Sequence, residues 1–252
     1  MTYARFNNAL IVGAGSGLSA SLARALAAED IKIALAARSP EDLAGLARET
    51  GAVTFACDAS KRAEVEKLFG TLESGFGAPE IVIYNASYRT RGPVADLDPV
   101  EVEKSIAVSA FGGFLVAQQA VKRMLPKKHG VILFTGASAS VKGYAESAPF
   151  AMGKFALRGL AQSMARELHP QGIHVAHVVI DGGIKSERRA EPPGKTATLL
   201  DPDSIAASYL HLIHQPHSAW SWELELAALG GEVLDARLAF QKQTKGLRRA
   251  AG

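Results

Sequence analysis

The chain has 252 residues, 48% hydrophobic and 21% charged, which is the composition of an ordinary globular protein with a buried core. Its formal charge of +3 comes from the C-terminus: without Lys242, Lys245, Arg248 and Arg249 the rest carries −1, which argues against a nucleic-acid surface. The single Cys57 excludes an internal disulfide, and no apolar run approaches the ~20 residues that span a bilayer. The N-terminus lacks a signal-peptide layout, so we expect a cytoplasmic protein.

Short apolar runs alternate with longer helical patterns along the chain. This alternation predicts an α/β fold, a doubly wound parallel sheet of about seven strands with helices on both faces. The predicted strands are residues 9–12, 31–36, 53–56, 81–84, 131–134, 173–180 and 222–226, the last at an edge or an interface. The predicted helices are residues 18–28, 41–49, 62–72, 100–125, 147–167 and 204–213.

The domain organisation follows from the same patterns. We expect one domain over residues 1–241 and a basic, solvated tail at 242–252. The irregular segment 185–203 is long for a loop in a compact domain and contains Pro192 and Pro193. We therefore interpret it as a substrate loop.

The turn after the first predicted strand is rich in small residues and leads into a helix. Gly13, Gly15, Ser16 and Gly17 let the backbone approach a pyrophosphate, and the N-terminus of the helix that begins at Leu18 favours its negative charge. Phosphate-free turns and methyltransferases use similar spacings, so the turn alone does not decide the ligand.

The end of the second predicted strand indicates which dinucleotide would bind. A site for NAD usually carries an acid there, which binds the adenosine ribose. This chain has Arg38, whose guanidinium group suits a 2′-phosphate because it offers two parallel donors. The alternative is a surface arginine at the start of a loop. The sequence thus predicts NADP rather than NAD, and the missing acid also argues against a methyltransferase.

These features, together with later motifs, resemble the short-chain dehydrogenase/reductase family. Asp58 and Ala59 resemble the family's turn beside the adenine, and Asn85-Ala86-Ser87 resembles its Asn-Ala-Gly segment. The resemblance implies that the cofactor is bound by Gly13, Gly15, Ser16, Gly17, Leu18, Arg38, Asp58, Ala59, Asn85, Ala86, Ser87, Lys154, Gly182 and Ile184.

The catalytic set that the resemblance implies is altered. In the family a tyrosine exchanges a proton with the substrate oxygen, and a lysine four residues later holds the nicotinamide ribose. Here Phe150 replaces the tyrosine and Lys154 keeps the lysine. The family's asparagine position holds Ser109. The serine position falls on Ala137, and a shift of one residue would place Ser138 there.

Two functions remain open at this point. The first is an oxidoreductase that transfers hydride between NADP(H) and a small carbonyl or alcohol, with a proton donor other than the usual tyrosine. Tyr144 is the preferred donor, and Ser138 and Tyr88 are other hydroxyls near the expected cleft. The second is a non-catalytic NADP(H)-binding sensor or interaction protein.

The resemblance also implies a homodimer or homotetramer that pairs through the helices after the fourth and fifth strands. No metal site is expected, because His174 and His177 have the spacing of core or edge residues.

Overall fold

The computed structural model describes residues 5–186, 189–191 and 198–228, and in these ranges apolar runs and helical patterns form alternating strands and helices. The strands are β1 Asn8–Val12, β2 Lys32–Ala37, β3 Val53–Ala56, β4 Ile81–Tyr84, β5 Gly130–Thr135, β6 Ile173–Asp181, β7 Gly183–Ile184, β8 Leu199–Leu200 and β9 Glu223–Ala227. The helices are α1 Leu18–Ala27, α2 Ala44–Thr50, α3 Arg62–Gly75, α4 Pro99–Ile106, α5 Gly112–Met124, α6 Ala148–Leu168 and α7 Pro202–Ile213.

Seven of the strands form one parallel sheet in the order β3-β2-β1-β4-β5-β6-β9. The order reverses between β1 and β4, and in sheets of this kind a crevice for ligands opens there, beyond the carboxyl ends of the strands. This topology confirms the predicted doubly wound α/β fold. The seventh strand, β9, lies at an edge, where it pairs only with β6 among the described strands.

The core has two layers, one on each face of the sheet. Within β1, Leu10 and Val12 pack into one layer, whereas Ala9 and Ile11 pack into the other. Successive side chains of a strand point to opposite faces, so a strand covered on both sides is apolar throughout. Helices α3, α5 and α6 contribute to the first layer, and α1 and α7 contribute to the second.

The single helix predicted for residues 100–125 is wrong in one respect. The segment Ala107–Phe111 is π-helical and separates α4 from α5. The hydroxyl of Tyr84 donates a hydrogen bond to the carbonyl of Val108 inside this segment. A Cβ added at Gly112 would lie 2.4 Å from that hydroxyl. The interruption therefore lets the helix pass closely over the end of β4.

The two histidines of β6 are fully buried, in agreement with their predicted core or edge positions. Burial lowers the pKa of each to about 4, so both are neutral at pH 7. His177 Nδ1 lies 3.2 Å from the carboxylate of Glu223, which also accepts two hydrogen bonds from Arg158. These contacts attach β9 to β6 and α6.

The segment 185–203, predicted as an irregular substrate loop, contains regular structure at its C-terminal end. At its end β8 pairs with β7, and α7 already begins at Pro202. The side chain of Asp201 caps this helix, because it accepts hydrogen bonds from the backbone N–H groups of Asp203 and Ser204. Residues 187–188 and 192–197 of this segment, and the predicted tail 242–252, lie outside the described residues.

The described ranges of the chain contain no candidate for a membrane-spanning helix or a metal centre. In these ranges no helix is both long and apolar enough to cross a membrane. Across the same ranges, no three His, Cys, Asp or Glu side chains stand together in a way that could hold a metal ion.

Candidate active site

The glycine-rich turn after β1 is closed on one side and open on the other. Gly13 has φ +81°, and a Cβ there would lie 2.3 Å from the backbone nitrogen of Ala86. Cβ atoms at Gly15 and Gly17 would meet nothing within 4 Å. The turn therefore packs tightly against the end of β4 at Gly13, while its later residues leave space for a ligand.

The N-terminus of α1 has the properties of an anion site. Gly17 precedes the helix and provides no side-chain cap, and the first turn contains no acidic residue. The first backbone N–H groups of a helix have no partner within it, and the helix dipole favours negative charge at this end. A pyrophosphate beside the open glycines would satisfy both requirements.

Ser19 links this turn to the residues that follow β4. Its hydroxyl donates to the carbonyl of Gly13 at 3.2 Å and accepts from the side-chain amide of Asn85 at 2.7 Å. Both partners belong to predicted cofactor motifs, and Ser19 is buried. The hydroxyl of Ser19 therefore joins two of these motifs.

The first of three adjoining pockets, which we call the turn cleft, has a volume of about 600 Å³. Its lining includes most of the residues predicted to bind the cofactor, namely Gly13, Gly15, Ser16, Arg38, Asp58, Ala59, Asn85, Ala86 and Ser87. Asp42, which no sequence pattern indicated, also lines this cleft, because the one-turn helix Pro40–Leu43 brings it to the same side as Arg38.

Asp58 is held in place as a charged group. Burial raises its pKa, but hydrogen bonds from the hydroxyl and backbone N–H of Ser60, together with the charges of Lys61 and Arg38, outweigh this effect, so the pKa is lowered overall. The hydroxyl of Ser60 lies 2.7 Å from the carboxylate. Asp58 is therefore a fixed acceptor on the wall of the turn cleft.

The second pocket, the lysine pocket, has a volume of about 470 Å³ and shares Asn85 and Ser87 with the turn cleft. It contains the remaining predicted cofactor residues, which are Gly17, Leu18, Lys154, Gly182 and Ile184. Because two residues line both pockets, the turn cleft and the lysine pocket adjoin.

Lys154 is buried, with 3% of its surface exposed. Its ammonium group donates to the carbonyl of Thr135 at 2.8 Å, which orients it and leaves two further N–H donors. Burial, followed by the nearby charge of Arg89, lowers the pKa of Lys154 to about 8. The group is thus mostly protonated at pH 7 and can donate to the hydroxyls of a bound ribose.

Phe150 lies one helical turn before Lys154, and the lysine nitrogen is 5.7 Å from the centre of its ring. Phe150 and Ala137 both line the lysine pocket. Ser138 does not line it; together with Tyr144 and Phe150 it lines the third pocket, of about 650 Å³, which we call the arginine pocket. The positions of the family's catalytic tyrosine and serine, Phe150 and Ala137, therefore place no hydroxyl group in the lysine pocket.

Comparisons with known proteins identify the family. A family model described as short chain dehydrogenase matches residues 7–193. This chain belongs to the short-chain dehydrogenase family. The predicted class, an NAD(P)-dependent oxidoreductase of this family that binds a nicotinamide cofactor, is thereby confirmed at the level of the family, and the non-catalytic alternative gains no support.

Individual relatives agree with this assignment. The chain is 31% identical over 178 residues to "Short chain aldehyde dehydrogenase 1" of Euphorbia lathyris, a match that covers 66% of this chain and 60% of that protein. A short-chain dehydrogenase from Rhodopseudomonas palustris has a similar structure, with 32% identity, a TM-score of 0.77 and coverage of 88% and 99% of the two chains. A metagenomic short-chain oxidoreductase in complex with NADP is 25% identical, with a TM-score of 0.77 and coverage of 88% and 97%.

The asparagine position of the family's catalytic set is occupied by Ser109. Ser109, at the asparagine position, is fully buried in the π-helical segment, and its hydroxyl accepts from the backbone N–H of Tyr88 at 3.2 Å. A Cβ added at Gly153 would lie 2.7 Å from the Cβ of Ser109, so the segment packs directly against α6. Ser109 therefore has a packing role that the sequence did not reveal.

The two tyrosines considered as proton donors have different surroundings. The hydroxyl of Tyr88 donates to Glu101 and accepts from Lys104 at 3.2 Å, so it is engaged with α4. Tyr144 is 41% exposed and shares the arginine pocket with Phe150. The lysine nitrogen of Lys142 lies 5.5 Å from the centre of the Tyr144 ring.

Proposed function

We propose that the protein transfers hydride between NADP(H) and a small carbonyl or alcohol, using a proton donor other than the family's tyrosine. The observation that carries this proposal is the buried ammonium group of Lys154, held at the carbonyl of Thr135 in a pocket that adjoins the open glycine turn. Burying a charged lysine is costly unless its N–H donors are hydrogen-bonded, and Thr135 accepts from only one of the three. The hydroxyls of a bound ribose would accept from the others.

Each part of the pocket has a separate task in this proposal. Gly15, Gly17 and the N-terminus of α1 bind the pyrophosphate, and Asp58 accepts from the adenine. Lys154 donates to the ribose hydroxyls. When bound, the dinucleotide would supply or accept the hydride, and these residues would hold it in position.

The proton must come from elsewhere than position 150, because a phenyl ring cannot exchange one. Tyr144 is our choice, since its side chain and Phe150 line the same pocket and Lys142 lies near its ring. Ser138, which lines that pocket too, is a weaker acid.

The preference for NADP rests on Arg38, and its removal gives the first prediction. We expect Arg38→Gln to weaken NADPH binding ~10–100-fold, because a hydrogen bond to a charged group contributes ~1.5–3 kcal/mol, and to change NADH binding less than about twofold. Asp42 lines the same cleft and would repel a 2′-phosphate, so the guanidinium group must outweigh it. Fluorescence titration with each coenzyme measures both affinities.

The matched control is Arg48→Gln, which removes the same charge from the exposed side of α2, outside the turn cleft. Equal losses for NADPH and NADH in Arg38→Gln would contradict the 2′-phosphate role. Absence of binding for both coenzymes in the parent protein would refute the proposed function. Tight NADPH binding without oxidation across a panel of carbonyl compounds would instead favour the sensor.

We also propose that the protein pairs with a second copy of itself through α5, α6 and the segment before α5. Large apolar side chains are exposed on these elements: Phe111 by 50%, Phe114 by 40%, Met152 by 51% and Phe155 by 46%. The Phe111 and Phe114 rings stack with their centres 6.1 Å apart. A concentration of exposed apolar groups is typical of a protein–protein interface.

The second prediction tests this apolar face. We expect the double variant Phe114→Asp/Phe155→Asp to be monomeric by light scattering, whereas the parent is a dimer or tetramer. Burying each ring contributes ~1.5–3 kcal/mol, and a twofold interface contains each ring twice. The control Val94→Asp alters another exposed apolar residue outside this face and should keep the parent's mass. A monomeric parent, or an assembled double variant, would contradict the proposal.

A further inference from the structure

The arginine pocket carries more positive than negative charge. Its described lining includes Arg89, Arg91, Lys142 and Arg189, with Asp181 as the only carboxylate. That carboxylate lies 3.6 Å from the ammonium group of Lys142, which partly neutralises it. Three guanidinium groups therefore face one pocket without an acid of their own among its described residues.

Four arginines elsewhere in the described part of the chain are paired with carboxylates, whereas Arg38, Arg48 and Arg166 are not. Several arginines there are joined to carboxylates at short distances, namely Arg24 to Glu49 at 2.7 Å, Arg123 to Glu73 at 2.7 Å and Arg158 to Glu223 at 2.5 Å. Within the described ranges no ion pair joins Arg89, Arg91 or Arg189 to an acid. Like charges held together raise the free energy of the folded protein, and a bound anion removes that repulsion.

Arg89 shows that the positive groups are close enough to interact. Burial, followed by the charges of Arg91 and Arg189, lowers the pKa of Arg89 from its usual value. The charge of Arg89 also reaches the other pocket, where it contributes to the lowered pKa of Lys154. The positive field therefore extends from the arginine pocket to the lysine that is proposed to hold the cofactor.

The position of Arg89 connects this charge to the reaction. Its guanidinium carbon lies 3.9 Å from the centre of the Phe150 ring, and Arg89 lines both the lysine pocket and the arginine pocket. Stacking on the ring favours one orientation of the guanidinium plane. An anion bound to Arg89 would consequently lie beside the position where the family's substrates react.

We infer that the arginine pocket binds an oxyanion carried by the substrate, so that the carbonyl compound is an oxo acid or a phosphorylated ketone and not a neutral one. The guanidinium fork matches the two oxygens of a carboxylate or a phosphate, and Arg89 and Arg91 supply two such forks. The inference names the substrate class of the proposed reaction and rests on that proposal, although the anion site itself needs only the arginines.

Calorimetry with matched pairs of ligands tests the inference. The protein, with and without saturating NADPH, is titrated with acetoacetate and its neutral methyl ester, and with dihydroxyacetone phosphate and dihydroxyacetone. We expect one anion at least to bind ten times more tightly than its neutral counterpart, and the pair that shows the difference identifies the oxyanion. Arg91→Gln and Arg89→Gln should each weaken that anion ~10–100-fold and leave the neutral compounds unchanged.

The controls separate this inference from the proposed function. Arg166→Gln removes the same charge from the far end of α6 and should bind the anion as the parent does. Anions that bind no better than neutral compounds, or that are insensitive to both pocket substitutions, would overturn the inference even if NADPH is oxidised. Anion binding that depends on Arg91 in a protein that binds no NADPH would leave the anion site standing and remove the proposed function. If Arg89→Gln lowers the folded fraction by circular dichroism, the more peripheral Arg91→Gln decides.

Discussion

Phe150→Tyr is expected to raise the rate of carbonyl reduction by ~10²-fold or more in a Tyr144→Phe background, where the proposed donor has been removed, because a positioned general acid typically contributes ~10²–10⁴-fold. The new hydroxyl would stand in a buried position that lines both the lysine pocket and the arginine pocket. The ammonium group of Lys154 is 5.7 Å from the ring centre and the guanidinium carbon of Arg89 is 3.9 Å from it. Both cations favour the phenolate and so lower the pKa of the new tyrosine.

The measurement is the NADPH oxidation rate under saturating cofactor, with oxo acids and neutral ketones as substrates. NADPH affinity should stay within about twofold of the parent, since Lys154 and the glycine turn are unchanged. No gain over Tyr144→Phe in a double variant that still binds NADPH would contradict this prediction.

Tyr144→Phe is the informative companion to Phe150→Tyr. In the parent background it should lower turnover at least tenfold if Tyr144 donates the proton. In the Phe150→Tyr background it should have little effect, because the restored tyrosine performs the same step. Two residues that do the same task give non-additive effects, and the double-variant cycle measures that coupling. Equal turnover of Tyr144→Phe and the parent would exclude Tyr144 as the donor.

The fold was predictable from the sequence because its strands are buried on both faces. Such strands appear as continuous apolar runs, and the run at residues 81–84 coincides with β4. The interruption of the long helix after β4 was not predictable. It depends on a contact between Tyr84 and Val108, two residues that no local pattern connects.

The same distinction applies to the candidate site. The glycine turn and Arg38 are found from their place after a strand, since the carboxyl ends of parallel strands meet at one edge. The Ser19–Asn85 hydrogen bond joins residues 66 positions apart, and Asp42 reaches the turn cleft through a short helical turn. The arginine pocket did have a signal, because Arg89 and Arg91 closely follow β4 at that edge of the sheet.

Gly13→Ala is expected to lower the free energy of unfolding by ~2–5 kcal/mol. A side chain at φ +81° costs ~1–2 kcal/mol, and a Cβ 2.3 Å from the backbone nitrogen of Ala86 adds ~1–3 kcal/mol of overpacking. The contact is with backbone, so it cannot be relieved by a change of rotamer. For a chain of this length each kcal/mol shifts Tm by ~2–4 °C, so thermal unfolding followed by circular dichroism should show a Tm ~5–15 °C lower.

Gly15→Ala, two residues later in the same turn, should weaken cofactor binding and leave stability unchanged. Its Cβ meets nothing within 4 Å, so Tm should change by less than ~2 °C. The new methyl group would occupy the side of the turn that we assign to the pyrophosphate, and we expect NADPH affinity to fall ~10-fold or more, as overpacking at a close contact costs ~1–3 kcal/mol. If both variants lost stability equally, the open space at Gly15 would be packed against protein and could not accept a ligand. If Gly15→Ala kept both stability and NADPH affinity, the assignment of the pyrophosphate to this side of the turn would be contradicted.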